Sequence, residues 1–232
     1  MRCLVIGAGS GIGEAIFDGL REDGHHAVGA DLVSDGWIPD GAHQLGIDVA
    51  DEDSVNAAVT AAETVTGGLD AVVNTAGILG SLGPSSQESV AGFERNLRVN
   101  LLGAFLVSRA VLPGMAERGY GRLVHFSSTA GKEGAAGMAA YSASKAGVLG
   151  LVKSLAREYA ATGVTVNAIA PGRIDTPLTG VIPPSPETLA NIPMGRYGTP
   201  AEAASLVRWV ISPAASYSTG TVYDLSGGRA TY

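Results

Sequence analysis

Cysteine is almost missing from this chain. There is one in 232 residues, Cys3, so no intramolecular disulfide can form. It falls in the first apolar run, where a small inert core residue is expected. Basic clusters are missing as well. The formal charge is −7 and the pI is near 5.0, which argues against nucleic acid or an anionic membrane as the main partner. No apolar run approaches the ~20 residues needed to span a bilayer. Strand-like residues begin at the second position, with no leader before them. The expectation is a soluble cytoplasmic protein. His25, His26, His43 and His125 show no ligand spacing, and with a single thiol no metal site is expected. There is no G-x-S-x-G for a serine hydrolase, and no Lys follows the first glycine cluster as a P-loop requires.

Glycine is abundant instead. There are 33, roughly double the usual share, spread without a collagen period. Hydrophobic residues make up 46%, enough for one large core. Short apolar runs alternate with longer amphipathic ones. Strands are expected at Cys3–Ile6, His26–Ala30, Gln44–Ile47, Leu69–Asn74, Arg122–Ser127, Val164–Ala168 and Thr221–Leu225. Helices are expected at Gly11–Asp23, Asp51–Thr66, Glu88–Arg118, Tyr141–Thr162 and Pro200–Ile211. Near-continuous apolar strands alternating with helices imply a parallel sheet covered on both faces. Right-handed crossovers make it a doubly wound, Rossmann-type α/β sheet of about seven strands. No repeat, linker or low-complexity tract appears, so one domain covers 1–232.

The first strand-to-helix turn reads Gly7-Ala8-Gly9-Ser10-Gly11-Ile12-Gly13. Its spacing is G-x-x-x-G-x-G rather than G-x-G-x-x-G, because Ile12 stands where that pattern needs glycine. Such a turn lets a pyrophosphate approach the free N–H groups of a helix N-terminus. Without a ligand it is simply a tight turn. Asp31 closes the second strand, where a carboxylate can accept both ribose hydroxyls of NAD and would repel a 2′-phosphate; as a bland alternative it is a solvated strand-end acid. Asp48-Val49 ends the third strand, within reach of an adenine amino group, or else serves to cap the following helix. Asn74-Thr75-Ala76-Gly77 ends the fourth, leaving room for a ribose.

At the other end, Tyr141 and Lys145 lie one turn apart on one helical face. A neighbouring ammonium favours the phenolate, which would let Tyr141 act as general acid or base near working pH. Ser128, ending the fifth strand, can hold the substrate oxygen. A Tyr/Lys pair at this spacing is common by chance. Together, however, Gly7/Gly11/Gly13, Asn74-Thr75-Ala76-Gly77, Asn100, Ser128, Tyr141/Lys145 and Pro171-Gly172 resemble, in order and spacing, the classical short-chain dehydrogenases/reductases over the whole chain. The resemblance implies an NAD-dependent enzyme acting on a small-molecule alcohol or ketone. Ser128 would orient substrate, Tyr141 would be the acid/base, and Lys145 would bind the nicotinamide ribose and lower the tyrosine pKa. Asn100 would hold a water linking the lysine to solvent. It places Gly7, Ser10, Gly11, Ile12, Gly13, Asp31, Asp48, Val49, Asn74, Ala76, Gly77, Pro171, Gly172, Ile174 and Thr176 on the cofactor, the last two at the carboxamide. It also implies a homotetramer (or homodimer) built on the long helix and the Tyr141 helix. Within the family, Pro193-Met194-Gly195-Arg196 and Ser212–Tyr217 are similar to bacterial 3α-hydroxysteroid dehydrogenase/carbonyl reductase.

The chain departs from the family in two places. Ile6 replaces the usual Thr before the first glycine, which removes a hydrogen bond supporting the turn. The stretch from Asp31 to Asp48 is too short for a crossover helix and carries no Lys or Arg, which favours NAD. Lys132 and Glu133, in the loop beside the substrate, read either as binders of a polar group or as a solvated charge pair. Arg173 reads either as a carboxylate attractor or as a surface residue. The substrate walls, Leu79–Leu82, Lys132–Met138 and a proline-rich lid from Leu178 to Met194 with a short helix at Pro186–Ala190, look mostly apolar or small, which suits a weakly polar substrate. Two alternatives remain. A dehydratase or epimerase on this fold would normally carry a C-terminal substrate domain, for which there is no room here. A silent NAD-sensing regulator would tend to lose the tyrosine or lysine.

Overall fold

The computed structural model describes residues 1–33, 43–180 and 185–230. Seven strands form one sheet: β1 (Arg2–Ile6), β2 (His26–Asp31), β3 (Gln44–Gly46), β4 (Ala71–Asn74), β5 (Gly121–Phe126), β6 (Val164–Pro171) and β7 (Val222–Leu225). All neighbours pair in parallel. The order β3-β2-β1-β4-β5-β6-β7 reverses direction next to β1, the switch point where doubly wound sheets bind ligands. The α/β Rossmann-type expectation holds, and β5 and β6 are buried at every position.

The helices are α1 (Gly11–Glu22), α2 (Glu52–Thr66), α3 (Val90–Asn96), α4 (Gly103–Glu117), α5 (Thr129–Glu133), α6 (Ala139–Tyr159), α7 (Pro177–Gly180), α8 (Pro186–Ala190) and α9 (Pro200–Ile211). On one face of the sheet, Ile16 and Leu20 of α1 pack with Val207 and Val210 of α9. On the other, Val55 and Val59 of α2, Val107 and Val111 of α4 and Val148 and Val152 of α6 form the second core. Cys3 is fully buried, and burial pushes its thiol up to about 12.

The expected long helix is present but not uniform. Between α3 and α4, Leu97–Leu102 is π-helical. The run Val90–Glu117 is, by length and composition alone, apolar enough to cross a membrane, but half of its most apolar window is buried within the fold. Its apolar residues therefore serve the core, where α4 packs on α2, α6 and β5. Asp51 caps α2 by accepting from the Ser54 N–H at 2.8 Å, leaving Asp48 free of that duty. Helix α8 forms as expected, capped by Ser185. Two prolines of the expected lid, 183 and 184, and most of the β2–β3 crossover, 34–42, lie outside the described residues.

Candidate active site

The C-terminal strand ends open into a cleft of about 1060 Å³, at the upper end of typical ligand sites. Its floor starts at the glycine turn. Gly7 has φ +86°, a left-handed conformation only glycine adopts without strain. At Gly13 a Cβ would collide with the Gly7 carbonyl, so only glycine lets α1 begin this close to β1. The hydrogen bond lost at Ile6 is replaced from across the sheet: the Thr75 hydroxyl donates to the Ile6 carbonyl at 2.8 Å and lies 3.2 Å from that of Gly7. Sequence reasoning passed over Thr75, although its position one residue past β4 places it beside that turn.

Asp31 stands at the tip of β2. Its Oδ2 accepts the Gly9 N–H at 2.6 Å and its Oδ1 the Leu32 N–H at 2.7 Å. The carboxylate is thus fixed at the cleft wall with acceptor capacity left over. Ser10, Gly11, Ile12, Asp48, Val49, Ala76, Gly77, Pro171, Gly172, Ile174 and Thr176 line the same cleft. The residues present fit a nicotinamide dinucleotide: the space is large enough, the α1 N-terminus opens into it, the Ser10 side chain makes no capping bond there, and a fixed carboxylate marks a ribose position.

Asn74 is not on the wall. It is buried, its Oδ1 accepting from Ala76 N–H at 3.2 Å and its Nδ2 lying 3.3 Å from His125 Nδ1. His125 Nε2 in turn lies 2.8 Å from the Ser108 hydroxyl, which donates to the Ala104 carbonyl. This order requires the proton on Nε2, so His125 is neutral. Burial, with Lys145 nearby, drives its pKa down to about 3. His125 is a positioning residue that ties α4 through β5 to the Ala76 wall. Nothing in its spacing signals this.

Asn100 is also off the wall. The π-helical stretch turns it inward, where its Oδ1 accepts the Ile78 N–H at 2.9 Å and its Nδ2 donates to the Ile78 carbonyl and the Ser144 hydroxyl, both at 2.9 Å. It clamps the loop after β4 onto α6 at Ser144, the residue before Lys145.

Ser128, Tyr141 and Lys145 converge on the cleft. Ser128 caps α5, its oxygen accepting from Ala130 N–H at 3.1 Å, which leaves its proton to donate. The Ser127 hydroxyl donates to the Lys145 carbonyl at 2.8 Å and so fastens β5 to α6. Lys145 Nζ donates to the Phe126 carbonyl at 2.9 Å and lies 5.8 Å from the Tyr141 ring centroid. Burial lowers Lys145 to about 8. Burial also raises Tyr141 above its usual 10, opposed by the Ser128 hydrogen bond and the charge of Arg173. The expected lowering by Lys145 is not among these causes, and burial sets the net direction upward. Both side chains are desolvated, which disfavours the charged form of each.

The cleft is mostly apolar, as expected, but cations also line it. Arg95, Arg98, Arg173 and Arg229 join Leu79, Leu82 and Met138 among its lining residues. Lys132 and Glu133 do not form a solvated pair with each other. Lys132 meets Asp224 at 3.2 Å and Glu133 meets Arg229 at 3.4 Å, binding α5 to the C-terminal segment.

A strand-order switch, a glycine turn, an acceptor at the end of β2 and a Ser/Tyr/Lys cluster define a nicotinamide-dependent oxidoreductase. Residues 7–230 match a family model described as Enoyl-(Acyl carrier protein) reductase. The chain is 37% identical, over 100% of its length and 96% of the relative's, to 2-dehydro-3-deoxy-L-rhamnonate dehydrogenase (NAD(+)) of Sphingomonas sp. strain SKA58. It is 39% identical, over 97% of its length and 95% of the relative's, to 3-oxoacyl-(acyl-carrier-protein) reductase FabG of Vibrio cholerae serotype O1. Among solved structures, 3-ketoacyl-(acyl-carrier-protein) reductase from Brucella melitensis complexed with NADH superposes with a TM-score of 0.91 at 31% identity, covering 99% of this chain and 98% of that one. The chain belongs to the classical short-chain dehydrogenase/reductase family.

Proposed function

We propose that the chain is an NAD(H)-dependent dehydrogenase/reductase that interconverts a secondary alcohol and a ketone on a small substrate. The observation that carries this reading is the convergence of Ser128, Tyr141 and Lys145 at the end of the cleft that begins at the glycine turn. A bound nicotinamide supplies or accepts the hydride. In reduction, the Tyr141 hydroxyl gives its proton to the substrate oxygen while the Ser128 hydroxyl holds that oxygen in place. In oxidation, Tyr141 takes the proton back, and the Ser128 donor and the Lys145 ammonium steady the phenolate against its burial.

NAD is favoured over NADP by Asp31, whose charge opposes a 2′-phosphate, and by the lack of any Lys or Arg from Asp31 to Asp48. The Sphingomonas relative's name carries NAD(+). The full chain acts as one unit in the cytoplasm and assembles as a homotetramer (or homodimer) through α4 and α6. Exposed Leu102 at the end of the π-helical stretch and Phe105 on α4, 38% and 41% accessible, and exposed Ala143, Ala146 and Gly150 on α6 are the apolar and small faces such packing needs. Light scattering should return a multiple of the 23.4 kDa subunit. The decisive assay follows NADH absorbance against a panel of ketones, with NADPH in parallel. A chain that binds NADH but oxidises it with none of them would instead be a sensor.

A further inference from the structure

The charges of the cleft are sorted by position. Its acidic lining residues are Asp31 and Asp48, at or just beyond the ends of β2 and β3. Its other lining cations are Arg95 and Arg98 around the α3 end and Lys145 on α6, while the segments after β6 and β7 contribute Arg173 and Arg229. Both arginines also line an adjoining recess of about 650 Å³, which Glu187, Thr188 and Asn191 complete.

Arg173 is partly buried, and its backbone is held on both sides: its carbonyl accepts from Gly198 N–H at 2.9 Å, and Ile174 bridges to Gly198. Among the described residues its guanidinium has no ion pair and no side-chain hydrogen bond. Glu187 shares the recess without closing to ion-pair distance. Arg229, which lines the cleft, meets Glu133 through its Nε, 3.4 Å away, and among the described residues its two terminal nitrogens carry no ion pair. A half-buried guanidinium without a partner is costly, and its planar fork matches a carboxylate better than any neutral group. Arg173 is also close enough to Tyr141 for its charge to be felt at the phenol.

We propose that Arg173 and Arg229 form a carboxylate subsite beside the reacting centre, so that the substrate is a small hydroxy acid or its oxo acid. This rests on the dehydrogenase reading above. The hydroxyl proton would pass to Tyr141, a nicotinamide bound in the cleft would take the hydride from the carbinol carbon, and the carboxylate would be held unchanged.

The test uses matched pairs: 2-, 3- and 4-oxo carboxylates and their methyl esters, each assayed with NADH. At least one acid should exceed its ester in kcat/KM by ~10-fold or more, the size of a hydrogen-bonded charge contact. Arg173→Gln should collapse that ratio toward one, mainly through KM. Arg173→Lys, which keeps the charge and loses the fork, should retain part of it, and Arg229→Gln should lower it less. Esters that serve as well as acids would overturn the subsite and leave the dehydrogenase reading standing. If no carbonyl compound of either kind is reduced, that reading fails instead. Calorimetric titration of the NADH-loaded protein with succinate and malonate then decides the subsite alone. Binding that is weakened in Arg173→Gln supports it, and equal binding or none in either protein overturns it.

Discussion

The two ends of the cleft are made by different means. The nucleotide end is mostly backbone: amides and glycines at the tips of β1, β2 and β4, with one carboxylate tied to two of those amides. The reaction end is mostly side chains, brought together from β5, α6, the segment after β6 and the C-terminal segment. A backbone site is specified by a contiguous stretch of sequence, because the turn itself is the binding surface. A side-chain site depends on several elements being fastened to one another, and here the fastenings are the buried polar bonds of Ser127, Asn100 and His125.

The comparison predicts which changes separate binding from chemistry. The largest effect is expected at the reaction end. Tyr141→Phe keeps the ring but not the transferable proton, so turnover should fall by about 10³-fold while fluorescence titration shows NADH binding nearly unchanged. A variant that retains a substantial rate would place the acid/base elsewhere. At the nucleotide end Gly13→Ala should act the opposite way, weakening NADH binding on the order of 100-fold by pushing α1 off the turn. Far-UV circular dichroism beside the titration separates this local shift from general unfolding.

Cofactor choice sharpens the contrast further. Wild-type kcat/KM should favour NADH over NADPH on the order of 100-fold, as a like-charge contact costing several kcal/mol implies. Asp31→Ser combined with Leu32→Arg should erode that preference without altering the acid-to-ester ratio at the far end. Equal use of the two cofactors by the wild type would remove Asp31 from this role.

The smallest effect tests the fastening between the ends. His125 has a folded pKa of about 3 against an ordinary 6.5. Below pH 6.5 the unfolded chain takes up a proton that the folded chain refuses, so stability is present above that pH and is lost as pH falls toward 3. The slope attributable to this one group is ~1.4 kcal/mol per pH unit. Urea midpoints of wild type and His125→Asn between pH 7 and 5 should diverge by that slope. Parallel curves would mean that His125 is not the neutral link in the chain from Ser108 to Asn74.

The nucleotide end was legible because its signals are local. Gly7, Gly11, Gly13 and Asp31 sit at turns that strand periodicity locates, and the sheet and α9 follow from the same alternation. The reaction end was legible only where the family pattern marks it, at Ser128, Tyr141 and Lys145. Residues that hold these in place left no local trace. Thr75 supports a turn that lies almost seventy positions earlier in the chain, and His125 reads as one more strand residue. Helix α5 was missed because Thr129–Glu133 is a single turn formed by the Ser128 cap and held by ion pairs to the C-terminal segment, none of which any periodicity reveals. The direction of the Tyr141 shift was missed because spacing shows which charges are near but not how much water has been removed.

The π-helical stretch at Leu97–Leu102 carries a consequence for how chain length can vary here. Each residue of a regular helix turns the chain by about 100°, and a π turn accommodates extra residues that a regular helix would not. Excising one of them would let the segment relax to ordinary winding. Everything upstream would then rotate by about that angle relative to α4, swinging Asn100 off the β4 loop while Val107 and Val111 stayed in the core. The helix would be more regular and the cleft less well held, so in this segment the spacing between residues, more than their identity, is what an insertion or deletion would disturb.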